Sequence, residues 1–240
     1  MDSELKQLVN TYKPNDQVLS RLRQINLVAT VGPSASGKTT IMKELVKSSP
    51  GVGFVLDETS RKARINETPG VDFLFRSKQE ITEDLKNGEL VQVALGPNGD
   101  LYCTRLVSYP KNKISIVALV PAAIREFRNL PIGSLQAAFI VPASYELWQE
   151  WLAHQAAAGL WTPEQKEGRL KEAKTSFEFA LADTGLKFVL NDNPASAAAR
   201  LSQVAVGQEP NDQEKAKATA QDNYKKLLAS QSEGRVVKQI

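Results

Sequence analysis

Residues 32–40 read Gly32-Pro33-Ser34-Ala35-Ser36-Gly37-Lys38-Thr39-Thr40, which fits the pattern G-x-x-x-x-G-K-[ST]. Its setting turns a string match into a physical site. The apolar run 25–31 ahead of it reads as a buried strand, and residues 40–47 behind it read as a helix. Glycines let the backbone wrap an anion closely, and successive N–H groups at a helix N-terminus point at it. Lys38 then neutralises the outer phosphates and the Thr39 hydroxyl is placed to ligate Mg²⁺. The stretch Gly32 to Thr40 therefore predicts a site for a nucleoside triphosphate with magnesium, and a strand-loop-helix start commits the chain to an α/β fold.

With 240 residues and 42% hydrophobic content the chain can bury a full core, and one α/β domain with small excursions is expected. Apolar runs are too short for a spanning helix, and residues 1–10 are charged and helical-looking without a signal-peptide core. The single cysteine, Cys103, cannot form an internal disulfide, which suits a reducing cytoplasm. A net charge of +3 fits phosphorylated small molecules as partners. It gives little support for nucleic acid, because no dense Lys/Arg block is interleaved with aromatics. His154 is the only histidine, so a nucleophilic pair or a histidine-based zinc site would rest on it alone.

Two helices are expected over 3–11 and 16–23, broken by Lys13-Pro14-Asn15. A short second strand over 53–56 leads into Asp57-Glu58-Thr59-Ser60-Arg61-Lys62-Ala63-Arg64-Ile65-Asn66-Glu67-Thr68-Pro69-Gly70-Val71-Asp72-Phe73-Leu74-Phe75. Guanidinium forks suit a phosphate dianion, and Arg61 and Arg64 follow a strand end closely downstream of the phosphate loop. This stretch resembles the guanylate kinase family, whose phosphate loop is followed by T-T-R-x-x-R-x-x-E-x-x-G-x-x-Y-x-F. Thr59, Ser60, Arg61, Arg64, Glu67, Gly70 and Phe75 fall in register. The resemblance continues through a helix over 79–87, the strand Glu89-Leu90-Val91-Gln92, Tyr102-Cys103-Thr104, buried strands over 114–120 and 137–143, Phe139-Ile140-Val141-Pro142-Ala143-Ser144, Gly168-Arg169-Leu170-Lys171-Glu172-Ala173 and Phe188-Val189-Leu190-Asn191-Asp192. It covers roughly residues 25–203.

The resemblance implies a mostly parallel sheet flanked by helices, of the P-loop NTPase type, with a small acceptor-binding lobe and a lid. It divides a single domain into a core (about 22–56 and 111–207), an acceptor-binding lobe (about 57–110) and a lid (about 145–168). Helical extensions are expected over 1–21 and 208–240, the latter with a narrow apolar stripe that packs lightly or meets another chain, so a homodimer stays open. It also implies transfer of the γ-phosphoryl of ATP, with Mg²⁺, to the phosphate of a nucleoside monophosphate. By residue, Arg61, Arg64 and Tyr102 would hold the acceptor phosphate, Gln92 and Thr104 would meet its base, and Asn191 would lie at the ATP site. Lys38, Arg61, Arg64 and Arg169 would stabilise the charge on the transferring group.

Departures from the family pattern bear on mechanism. Gln92 stands where the family reads guanine through a glutamate, and a neutral amide offers one acceptor and one donor. Phe73 replaces a phosphate-contacting tyrosine, Asp57 replaces a phosphate-binding serine, and Ala118 and Leu119-Val120 stand where acidic residues are expected. Trp151 and Gln155 occupy lid positions that carry arginines in the family. GMP or dGMP is the acceptor the family implies, while Gln92 opens the site to a different or modified nucleotide. Two other functions compete. Asp57 could serve as general base for a hydroxyl acceptor on a nucleoside, sugar or modified base. An inactive guanylate-kinase-like domain could bind phosphorylated partners, although such modules commonly degrade the phosphate loop and Lys38 and Thr39 are intact.

Overall fold

The computed structural model describes residues 3–63, 67–96, 99–161 and 163–236. In chain order the elements are α1 (Ser3–Asn10), α2 (Asp16–Leu22), β1 (Asn26–Val31), α3 (Lys38–Ser48), β2 (Val52–Phe54), β3 (Glu58–Thr59), β4 (Leu74–Phe75), α4 (Lys78–Asn87), β5 (Leu90–Leu95) and β6 (Leu101–Arg105). A 3-10 turn (Leu106–Ser108) follows, then β7 (Ile114–Ala118), α5 (Pro121–Arg128), β8 (Ser134–Pro142), α6 (Tyr145–Ala157), α7 (Pro163–Ala182), β9 (Lys187–Asn191), α8 (Pro194–Ala205) and α9 (Gln213–Val236). The central sheet has the order β2-β7-β1-β8-β9 and is parallel, with helices flanking it, as the phosphate loop and its flanks require. Among the described residues no helix is long and apolar enough to cross a membrane.

The chain divides into two compact units. One comprises Met1–Leu27, Gly51–Ser115 and Glu126–Leu135; the other comprises Val28–Pro50, Ile116–Arg125 and Gln136–Ile240.

The first unit contains a four-stranded sheet of order β4-β3-β6-β5. One face of this sheet is apolar: Leu90, Val93, Leu101 and Cys103 pack with Leu5 of α1 and Ile81 and Leu85 of α4. Helix α4 starts at a capping box, in which the Ser77 hydroxyl accepts from Glu80 N and the Glu80 carboxylate accepts from Ser77 N. It stops at Gly88, whose φ of +73° is the left-handed conformation that glycine adopts without strain. The Gly88 carbonyl accepts from Asn15 N at 2.8 Å, and the Asn15 side chain accepts from Val18 N to open α2, so one turn ties both helices together.

The second unit is built on an aromatic cluster in which Phe177 of α7 meets Phe139, Trp148 and Tyr224, and Phe139 meets Phe188. Helix α9 is not the lightly packed appendage that its sequence suggests. It lies against β9, α7 and α6 with Ala216, Ala220, Asn223 and Leu227 fully buried, and Asn223 Nδ2 donates to the Pro142 carbonyl at 2.8 Å. The segment read as a lid forms α6 and the start of α7. Its residues Trp148 and Leu152 are buried, so part of that segment belongs to the packed unit.

Candidate active site

The phosphate loop is fixed from several directions, all within the second unit. Its last glycine, Gly37, has φ +86° and turns the chain directly into α3, which therefore begins at Lys38, two residues earlier than the sequence suggests. A Cβ at Gly37 would collide with Asn191 Nδ2. That amide donates to the Ser36 carbonyl at 2.9 Å, so Asn191 acts on the loop backbone. Trp148 Nε1 donates to the Ser34 carbonyl at 2.8 Å, and Arg169 Nη1 donates to Ser34 Oγ at 2.9 Å while its guanidinium lies 4.3 Å from the Trp161 ring centre. Ala35 takes a left-handed φ of +63° in the middle of the loop.

Lys38 Nζ donates to the carbonyls of Gly32 at 2.7 Å and Pro33 at 2.9 Å. Burial pushes the ammonium down to about 8; Glu172 opposes that shift and Arg169 adds to it. An ammonium held by two carbonyls of the loop stays within reach of any anion the loop cradles. Thr39 and Thr40 stand exposed at the first turn of α3. Ser36 Oγ is buried and has no hydrogen-bond partner among the described residues, which leaves a donor inside the loop for an anion.

The second group of sequence-derived candidates lies in the first unit. Arg61 forms a two-pronged bond with Glu67 (Nη1–Oε2 and Nη2–Oε1, both 2.6 Å) and Nη1 also donates to the Lys62 carbonyl at 3.0 Å. Its guanidinium lies 4.8 Å from the Phe73 ring centre and 5.6 Å from that of Phe75. Hydrogen bonding to Glu67 leads the effects that keep it fully charged, and a hydrogen bond to Tyr102 adds to them. The Phe73 and Tyr102 rings meet edge to face with centroids 6.4 Å apart. Arg61 Nε is buried and lacks a partner among the described residues. Arg64 lies outside the described residues.

Strand register places the remaining candidates. Across β5 and β6, Gln92 is opposite Thr104; across β3 and β6, Thr59 is opposite Tyr102 and Glu58 is opposite Cys103. Stepping back one residue along β3 puts Asp57 opposite Thr104, and its carbonyl accepts from Leu74 N at 2.9 Å. Because side chains alternate, Asp57, Thr104 and Gln92 form a row on the face opposite the apolar cluster, with Tyr102 in the next row. Thr104 is fully buried and its hydroxyl pairs with Tyr109 Oη at 3.1 Å, so it forms the floor of that row. Asp57 and Gln92 are half-buried at its two ends. Burial pushes the Asp57 carboxyl up to about 7, with the neighbouring Glu58 charge adding to the effect.

Tyr109 and the loop-anchoring role of Trp148 were not marked by any motif. Tyr109 is five residues from Thr104 on the far side of a 3-10 turn, and nothing in the sequence says which carbonyl the Trp148 indole N–H meets.

Comparison with known proteins bears on the whole arrangement. The guanylate kinase family model matches residues 24–159. Guanylate kinase from Symbiobacterium thermophilum is 30% identical over 190 residues, covering 76% of this chain and 85% of that protein. Guanylate kinase from Nocardia farcinica is 30% identical over 192 residues, covering 77% of this chain and 95% of that protein. Among solved structures, guanylate kinase from Anaplasma phagocytophilum matches with a TM-score of 0.56 at 20% identity over 76% of this chain and 85% of that chain, a likeness of fold. The family match spans the phosphate loop, the Arg61 segment and the Asp57–Thr104–Gln92 row. The chain belongs to the guanylate kinase family.

Proposed function

We propose that this member of the guanylate kinase family transfers the γ-phosphoryl of ATP to the phosphate of a nucleoside monophosphate. The triphosphate lies in the loop Gly32 to Thr40 under Lys38 and Arg169, and the acceptor phosphate lies at Arg61 beside Tyr102 and Phe73. The acceptor is already an anion at neutral pH. Catalysis is therefore positioning and charge neutralisation, and no general base is required.

The observation that carries this reading is the Arg61 guanidinium. It is fixed by Glu67 and framed by Phe73, Phe75 and Tyr102, yet keeps a buried Nε–H without a partner among the described residues. A buried, unspent donor on a permanently charged fork is what a phosphate oxygen needs. Magnesium fits the donor end of the site. The Thr39 hydroxyl is exposed at the α3 N-terminus, and among the described residues no three His, Cys, Asp or Glu side chains converge to hold a cation. Thr39 would hold Mg²⁺ there, and the ion would supply positive charge against the developing negative charge of the phosphates.

Label transfer from [γ-³²P]ATP, run across a panel of ribo- and deoxynucleoside monophosphates beside the free nucleosides, tests the reading. Label on at least one nucleotide, lost in Lys38→Ala and in Arg61→Ala, is the expected result. Label confined to free nucleosides would instead favour a hydroxyl acceptor. Asp57 is the observation that supports this second reading, since a carboxyl near 7 without an ion pair among the described residues suits a general base.

A further inference from the structure

Arg169 brings a guanidinium to the phosphate loop, and two side chains of the second unit hold it there. Its Nη1 donates to Ser34 Oγ at 2.9 Å, and its Cζ lies 4.3 Å from the ring centre of Trp161. From Asn129 to Gly168 the sequence carries no arginine, so this part of the chain supplies the loop with that one guanidinium. Arg169 sits in the second turn of α7 and Trp161 just ahead of the helix. Side chains on a helix lean toward its N-terminus, which carries Arg169 back over the Trp161 ring. The Arg169 charge also helps to lower the pKa of the Lys38 ammonium, so the two cations converge on the loop.

Packing alone accounts poorly for a tryptophan at 161. The residue is 7% exposed, and its indole N–H is buried with no hydrogen-bond partner among the described residues. A buried tryptophan ordinarily partners that N–H, and a phenylalanine would fill an apolar site without stranding one. What tryptophan adds is its ring face, the best of the aromatic faces for a cation, and most effective where water is excluded. Stacking also leaves the N–H groups of a guanidinium pointing outward in its own plane. A carboxylate partner engages them instead, as Glu67 does with both prongs of Arg61.

We propose that Trp161 is a positioning residue for phosphoryl transfer, its ring carrying the Arg169 guanidinium so that the N–H edge bonded to Ser34 Oγ is delivered to the phosphates in the loop. This rests on the kinase reading above. A charge-assisted bond to a phosphate oxygen is stronger than one to a neutral hydroxyl, so an entering triphosphate takes Nη1 from Ser34 while the guanidinium stays on the ring face. Ser34 keeps its place through its carbonyl, which accepts from Trp148 Nε1 at 2.8 Å. The γ-phosphorus exchanges its bond to the β-phosphate oxygen for one to the acceptor phosphate oxygen, giving ADP and a nucleoside diphosphate. Arg169 meets the charge on the transferring group from a direction that Trp161 has set.

The experiment is label transfer by the full chain from [γ-³²P]ATP to GMP, or to whichever of AMP, CMP and UMP the parent chain labels fastest. Values of kcat and KM are measured for the parent, Trp161→Leu, Trp161→Phe, Arg169→Ala and the two double variants. Trp161→Leu is expected to lower kcat about ten-fold with the KM of the acceptor unchanged, and Trp161→Phe, which keeps a weaker ring face, about three-fold. In the Arg169→Ala background neither substitution should lower kcat further, because Trp161 acts through the guanidinium. Melting curves of each variant report folding. Should Trp161→Leu not fold, the Trp161→Phe pair decides: a loss beside Arg169 that disappears in Arg169→Ala supports the inference, and any other result overturns it. An unchanged kcat in Trp161→Leu, equal losses in Trp161→Leu and Trp161→Phe, or losses that add to that of Arg169→Ala overturn the inference and leave the kinase reading standing. No label on any nucleotide from the parent chain removes the kinase reading and the inference with it.

Discussion

Asp57 and Glu58 are consecutive carboxylates that the four-stranded sheet sends to opposite faces, and the two faces treat them oppositely. Glu58 is fully buried and fully partnered: Arg105 Nε donates to Oε1 at 2.9 Å, Ser108 Oγ donates to Oε1 at 3.0 Å, and Arg76 Nη1 donates to Oε2 at 3.0 Å. Asp57 has no ion pair among the described residues, and burial pushes its carboxyl up to about 7.

That difference sets the pH dependence of Asp57→Asn. Below the ordinary carboxyl value of 3.8, Asp57 is protonated in both folded and unfolded chains and costs nothing. Between 3.8 and about 7 the unfolded chain has released the proton and the folded chain has not, so stability falls as pH rises. Above about 7 the loss is constant, at most about 4 kcal/mol. Asp57→Asn removes the cost, so urea melts should show no gain near pH 4 and a growing gain that levels off above pH 7. A gain equal at all pH values would mean that ionisation of Asp57 is not its source.

Glu58→Ala should do the reverse. It leaves Arg76 and Arg105 facing Asp84 alone, with 16% and 31% of their side chains exposed. Removing one partner of a buried ionic network costs about 3–5 kcal/mol. Chemical denaturation at pH 7 should place Glu58→Ala well below the parent chain, on the opposite side from Asp57→Asn. A loss under about 1 kcal/mol would show that the network tolerates the vacancy through water.

The difference between these two neighbours also marks how far the sequence could be read. The phosphate loop was legible because everything that defines it lies within nine consecutive residues, and local chemistry fixes its shape. Arg61 was legible through its setting after a strand end. The row was not. Gln92 and Thr104 are brought together by pairing of β5 and β6, and nothing local to either announces the other. The bulge between Leu90 and Gln92 adds to this, since one extra residue decides which face Gln92 joins. The identity of the residues that hold the loop in place was hidden for a similar reason: Asn191 is 155 residues from Ser36, and Trp148 is 114 from Ser34.

Those remote anchors give a prediction at the donor site. Asn191→Ala removes the donor to the Ser36 carbonyl and frees the loop from β9 without touching Lys38. Losing one buried hydrogen bond is worth about 1–1.5 kcal/mol, so affinity for Mg·ATP by titration calorimetry should fall by up to about ten-fold. Gly37→Ala should be more severe. It places a methyl group on Asn191 Nδ2 at a left-handed position, so the loop must change shape, and ATP binding should be abolished with secondary structure retained by circular dichroism. Undiminished ATP binding in Gly37→Ala would mean that the triphosphate lies elsewhere.

The last prediction concerns α9, whose apolar stripe looked too thin to matter. Two of its buried positions are Ala216 and Ala220, which add little to a hydrophobic pattern but let a helix approach its neighbours closely, and between them and Leu227 the buried Asn223 bonds the Pro142 carbonyl at the end of β8. Leu227 is fully buried, so Leu227→Ala should cost about 2–4 kcal/mol, and Asn223→Ala, which strands a buried carbonyl, about 1–2 kcal/mol. Lys226→Ala breaks only exposed ion pairs with Glu146 and Asp222 and should leave the urea midpoint where it was. A helix serving chiefly as a contact for another chain would give the opposite ordering. Leu227→Ala would then leave the monomer's stability unchanged and act on oligomeric state alone, which sedimentation of the same variants would show. Because α9 packs on β9, and β9 ends at the Asn191 that anchors the phosphate loop, the destabilised Leu227→Ala chain should also bind Mg·ATP more weakly than Lys226→Ala does.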